Sequence, residues 1–148
     1  MNDRQGDRHT NMETLVSDPH SIPPVKPLKA DLAKACYELT CELPILMQNW
    51  PKSTRMGLGR KLEEHIYRLL DTAVFVGSPT VHDTEKIESL KIMGAGADAV
   101  LVYLRLGHHT KEIDVKRYQR LSSLVVSIGN QVGGLKRYLE KQHAKRPR

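Results

Sequence analysis

Apolar residues recur at steps of three and four along most of the chain, the spacing that lines one face of a helix. Four stretches carry it. The first runs from about 28 to 50, with Leu32, Ala35, Cys36, Leu39, Leu43, Leu46 and Met47 on one stripe and Pro44 expected to kink it. Trp50-Pro51 breaks it, because the residue before a proline avoids the helical region. The second runs from about 53 to 76, on Leu58, Leu62, Ile66, Leu69, Ala73 and Val76, and ends at Gly77-Ser78-Pro79. The third starts near His82 or Asp83 and runs to about 106, on Ile87, Leu90, Gly94, Ala97, Leu101 and Leu104, with Gly107 as its expected stop. The fourth spans about 113 to 142, on Tyr118, Leu121, Val125, Ile128, Val132, Leu135 and Leu139. No alternating strand pattern occurs between them. Four amphipathic helices on short links predict an all-α fold, an antiparallel up-down four-helix bundle over 28–142.

Residues 1–27 have few apolar positions and end in a run containing Pro19, Pro23, Pro24 and Pro27. Prolines fix φ and remove donors, so this segment is expected to be a disordered or extended arm. The chain's 148 residues otherwise fit one domain with a sizeable core. No run of some 18 apolar residues could span a membrane, and the N-terminus lacks an apolar signal core, so a cytoplasmic setting is expected.

Charge changes the picture. The formal net charge is +6, and the arm contributes −1 of it (Arg4, Arg8 and Lys26 against Asp3, Asp7, Glu13 and Asp18), which leaves +7 on the rest. A basic balance favours polyanionic partners, because each cation that meets a phosphate releases counterions. Arg105, Lys111, Lys116, Arg117, Arg120, Lys136, Arg137 and Lys141 crowd the second half, and 143–148 reads as a basic tail with Lys145, Arg146 and Arg148. The second helix adds Lys52, Arg55, Arg60, Lys61 and Arg68, with Glu64 and Asp71 placed to pair with some of them. Tyr37, Tyr67, Tyr103, Tyr118, Tyr138, Phe75 and Trp50 are scattered, so contact to the phosphate backbone fits better than base reading by stacking. The candidate nucleic-acid-binding residues are Lys52, Arg55, Arg60, Lys61, Arg68, Arg105, Lys116, Arg117, Arg120, Lys136, Arg137 and Lys141. RNA, DNA or both are the expected partners.

Candidate chemistry is sparse. Met93-Gly94-Ala95-Gly96-Ala97-Asp98 lacks the Gly-Lys-Ser/Thr ending of a phosphate loop, and is expected to let two helices approach closely. His108-His109 has no further ligand at metal spacing, and His65 flanks a core stripe. Cys36 and Cys41 lie five apart, about 500° around a helix, and point apart. No arrangement places a nucleophile beside a base. The expectation is no enzyme, no catalytic residue, no metal and no cofactor. On the fourth helix Val115, Ser122, Val126, Gly129 and Gly133 form a second stripe. Two glycines inside a helix cost about 1 kcal/mol each relative to alanine, and a close helix contact would offset that. Ser122, Val126, Gly129 and Gly133 are therefore candidates for an oligomer interface, with tight packing inside one bundle as the alternative.

Two segments carry a resemblance. Residues 46–63, LMQNWPKSTRMGLGRKLE, and the final stretch from Leu104-Arg105-Leu106 through Tyr118 and Leu121 to 128–136, IGNQVGGLK, resemble the accessory variability determinant (Avd) family of diversity-generating retroelements in order and spacing. Leu135 stands where that family often has tryptophan. The resemblance covers about residues 30–140 and extends to the related bundle proteins encoded in intervening sequences of ribosomal RNA genes. It implies a non-catalytic four-helix protomer of a barrel-shaped homopentamer. It also implies binding to a reverse transcriptase and to nucleic acid in support of error-prone copying of template RNA into cDNA. Of the basic positions, Lys52, Arg55 and Arg60 lie inside the matched motif. A structural or protein-interaction bundle with no nucleic-acid role is the alternative.

Overall fold

The structure, a computed structural model, describes residues 31–146. The arm at 1–27, the first positions of the 28–142 bundle and Arg148 of the tail lie outside the described residues. Among the described residues all regular structure is helical. Helix α1 spans Asp31–Met47. Helix α2 runs over 52–76 in three pieces, α-helical at Lys52–Thr54 and Arg60–Val76 with a π turn at Arg55–Gly59 between them. Helix α3 spans Asp83–His109 and α4 spans Val115–Lys145. No described helix is long and apolar enough to cross a membrane.

The stripes meet in one core. Leu39, Leu43, Leu62, Ile66, Leu69, Leu90, Leu104, Val125 and Ile128 are all buried in a single cluster. Each helix packs on the next, and α4 returns against α1. Gly59 lies under Met47 and Gly96 under Leu69, the latter close enough that a Cβ would sit 3.4 Å from a Leu69 methyl. The small-residue segment 93–98 thus lets α2 and α3 approach. On α3 the buried face keeps Leu90, Ala97 and Leu104 of the expected stripe and adds Met93, Val100 and Gly107, while Ile87, Gly94 and Leu101 are only partly buried. The reason is composition. Ile92, Val102 and Leu106 make α3 apolar on its outer side as well, so its periodicity is weak.

Three boundaries differ from expectation. Helix α1 ends at Met47 and leaves Trp50 outside it but buried. Gly107 does not stop α3, which runs on to His109. The positive φ of the following turn, 67°, falls on Lys111. Gly107 is instead buried where Ile113 packs, and a Cβ there would lie 2.5 Å from the Ile113 Cδ1. Helix α4 continues through 143–145, so the first three residues of the basic tail are helical. Asp114 caps its start by accepting the Arg117 N–H at 2.8 Å.

Candidate nucleic-acid interface

The connection after α1 and the connection after α3 are tied together. Trp50 cannot continue the helix before Pro51, and its indole N–H donates to the Glu112 carbonyl at 3.1 Å. Thr54 donates to the Glu112 carboxylate at 3.3 Å. Ile113, 1% exposed, fills the space that Gly107 leaves open. The His108 Nδ1 lies 3.0 Å from the Ile113 carbonyl, and its ring stacks on Tyr118 at 4.8 Å between centroids. An indole donor, a side-chain hydroxyl and a buried branched residue therefore fix two loops that are some sixty residues apart in sequence.

This packing gathers charge at one end of the bundle. Lys52 and Arg55 open α2, Arg105 lies in the last turns of α3, and Lys116 and Arg117 lie in the first turn of α4. Lys111 belongs to the same end. It stood among the crowded cations of the second half, but its place beside Lys52 depends on the Glu112 bonds, which the sequence does not reveal. Among the described residues Lys52, Arg55, Arg60, Arg105, Lys111, Lys116 and Arg117 have no carboxylate within salt-bridge distance. Beside them a groove of about 380 Å³ is lined by Met47, Lys52, Arg55, Met56, Arg60 and Glu63. It adjoins a second of about 250 Å³ that shares Met47, Arg55 and Glu63 and reaches Pro44 and Tyr67. The π turn, a feature frequent at functional sites, forms part of this wall and leaves Arg55 and Met56 exposed.

The other expected cations are placed differently. Arg120 is held by Glu42 of α1 in a bidentate pair at 2.6 and 2.8 Å, which clamps α4 to α1. The Arg120 hydrogen bond, with help from the charges of Arg120 and Arg117, holds the Glu42 carboxyl below its usual range against partial burial. Lys61 pairs with Glu64 at 3.5 Å and Lys136 with Glu140 at 3.7 Å, the local pairing that helix spacing allows. Arg68 lies further along α2 without an ion partner among the described residues. Arg137 and Lys141, also without an ion partner among the described residues, sit toward the far end of α4, where Arg146 meets Asp83 at 3.3 Å.

The second stripe of α4 is half-buried at Ser122, Gly129 and Gly133 and exposed at Val126. A Cβ on Gly129 would meet nothing within 4 Å, and one on Gly133 only the Arg137 guanidinium at 3.7 Å. Val126 is exposed, and the Ser122 hydroxyl is buried without a hydrogen-bond partner. Tight packing inside one bundle therefore does not account for these two glycines. His65 packs on Tyr103 with ring centroids 5.4 Å apart. Cys36 is buried and Cys41 exposed, as their spacing requires, and burial pushes the Cys36 thiol up to about 12. Among the described residues no three His, Cys, Asp or Glu side chains are grouped to hold a metal. In comparisons with family models, curated proteins and solved structures, nothing matches this chain.

Proposed function

We propose that this protein is a non-enzymatic accessory factor that binds RNA or DNA together with a reverse transcriptase, in support of template-RNA-dependent cDNA synthesis in a diversity-generating retroelement. The observation that carries the nucleic-acid part is the set of cations at one end of the bundle that lack acidic partners. Fixed charges without internal partners are available to phosphates, and each phosphate neutralised releases counterions. The reverse-transcriptase part rests on the resemblance of 46–63 and 128–136 to the Avd family. The setting is cytoplasmic.

The proposed architecture is an up-down antiparallel bundle. It is supported by contacts that run in opposite senses between neighbours, Leu69 near Gly96 but His65 near Tyr103, and Gly94 near Val132 but Gly107 near Ile113. The proposed assembly is a ring-shaped homopentamer, with Ser122, Val126, Gly129 and Gly133 at the contact. The two glycines on this stripe of α4 support it. Gly129→Ala tests it in two directions. In a lone protomer it gains helix propensity, up to about 1 kcal/mol. In an assembly the new methyl weakens the contact, which light scattering reads as dissociation. A wild-type monomer at micromolar concentration refutes the ring.

The test of binding is a titration of RNA and DNA at two salt concentrations. The expected slope of log affinity against log salt is about −0.9 per duplex phosphate contact. Removing Lys52, Arg55 and Arg60 together flattens the slope by two to three such contacts at unchanged helix content. Removing Lys136, Arg137 and Lys141 flattens it less. Binding that is absent near physiological salt, or indifferent to salt, refutes this reading. It would favour a protein-interaction bundle, for which the outward apolar residues Ile92, Val102 and Leu106 of α3, 67%, 63% and 46% exposed, are the specific observation.

A further inference from the structure

The groove at the α1–α2 elbow combines two chemistries that phosphate binding alone does not need. Its cations, Lys52, Arg55 and Arg60, have no carboxylate within salt-bridge distance among the described residues, although Glu63 lines the same groove. Apolar side chains beside these charges are open to solvent. Met56 is 56% exposed, and Tyr67, in the adjoining pocket, is 48% exposed. A ring and a thioether left in water beside free cations suit a ligand that alternates anionic and flat apolar groups.

We infer that this groove and the pocket adjoining it seat a single-stranded nucleic acid, with one unpaired base against Tyr67, another base of the strand against Met56, and the flanking phosphates on Lys52, Arg55 and Arg60. The inference rests on the nucleic-acid reading above and narrows it. A duplex offers phosphates on its outside and keeps its base faces stacked inside, so it satisfies the cations but leaves Tyr67 and Met56 uncovered. A single strand satisfies both. One base presents a π face to the tyrosine ring whatever its identity, and the polarizable Met56 covers another base of the strand about 16 Å away along the helix. The Glu63 carboxylate repels phosphate but accepts hydrogen bonds from an exocyclic amino group, which places the base rather than the backbone at that side of the groove.

The experiment uses the full chain with a short fluorescent single strand and the duplex of the same sequence, by anisotropy at low and high salt. Tyr67 and Met56 are half exposed, so Met56→Ala/Tyr67→Ala keeps the fold, which circular dichroism checks. The expected result is a loss of about 5- to 100-fold in single-strand affinity, the range that removal of one stacking platform produces. Duplex affinity and both salt slopes stay as in the wild type. A 2-aminopurine in the strand changes fluorescence on binding the wild type and not the double variant. An equal loss on strand and duplex, or no loss on either, overturns the inference while leaving the nucleic-acid reading in place. Absence of binding to both strand and duplex in the wild type overturns both. If the strand ignores the double substitution while an acidic peptide with Leu and Phe anchors binds only the wild type, the groove is a peptide site and the inference falls.

Discussion

The two ends of the bundle are built by different means. At the end holding Trp50 and Ile113, the two connections bond to each other through Glu112, and a buried glycine lets a branched side chain into the core. At the opposite end, the link 77–82 bonds mainly to itself and the end of α2, with Ser78 N–H on the Phe75 carbonyl and the Ser78 and Thr80 hydroxyls 2.9 Å apart. Beside it, among the described residues, the ion pair Arg146–Asp83 joins the end of α4 to the start of α3, with the arginine side chain 70% exposed. Among the described residues seven cations without ion partners surround the first end, and Lys34, Lys86, Arg137, Lys141 and Lys145 are likewise unpaired toward the other. Charges aimed at a ligand gain from a rigid frame, because less ordering entropy is lost on binding. An exposed ion pair orders its end weakly.

Substitutions at matched positions separate the ends. Ile113→Ala removes a fully buried branched side chain and is expected to cost about 2–5 kcal/mol in urea unfolding. Val81→Ala, in the half-buried far link, is expected to cost within about 0.5 kcal/mol. Equal costs would mean that the ends are equally built into the core. Trp50→Phe keeps most of the ring packing but deletes the donor to Glu112, for an expected loss of about 0.5–1.5 kcal/mol. Hydrogen exchange of the 110–114 amides should rise in that variant and stay unchanged in 77–82.

The Glu42–Arg120 pair gives a smaller effect with a defined pH dependence. The folded state holds the Glu42 carboxyl below its usual range, so the stabilisation is present above the unfolded pKa and fades as pH falls through the folded one. Glu42→Gln should cost about 0.5–1 kcal/mol at neutral pH, screened by salt, and nothing once acid has protonated the wild-type carboxyl. A pH-independent cost would assign the loss to packing. The smallest effect is expected at Lys111, whose φ of 67° suits glycine better than lysine. Lys111→Gly should be neutral or stabilising by up to about 1 kcal/mol, read as a shift in the urea midpoint.

Helix number, the core stripes of α1, α2 and α4 and the divergent cysteines were legible in the sequence, because all depend on residues three to five apart. Helical spacing also pointed to Glu64 as a partner for a cation of α2, which is Lys61. The phase of α3 was legible only in part, since Leu90, Ala97 and Leu104 are buried as expected but Met93 and Val100 stand in for Gly94 and Leu101. Apolar side chains surround much of that helix, so no single face stands out until its neighbours choose one. The role of Gly107 was misread for a related reason. A glycine near a helix end and a glycine under a packed isoleucine look alike in one dimension, and only the position of Ile113 tells them apart.

The candidate site divides the same way. Composition already placed a net positive charge on the folded part, and local spacing identified Glu64 as an acid that pairs along α2. It could not show that Arg120 belongs to Glu42, 78 residues away, or that Trp50 and Glu112 join two connections across a separation of 62. Local periodicity fixes which face of a helix is buried, since burial follows from the 3.6-residue turn. Which cations remain free, and which end of the bundle they share, depends on pairings between distant segments, and those exist only once the helices have packed.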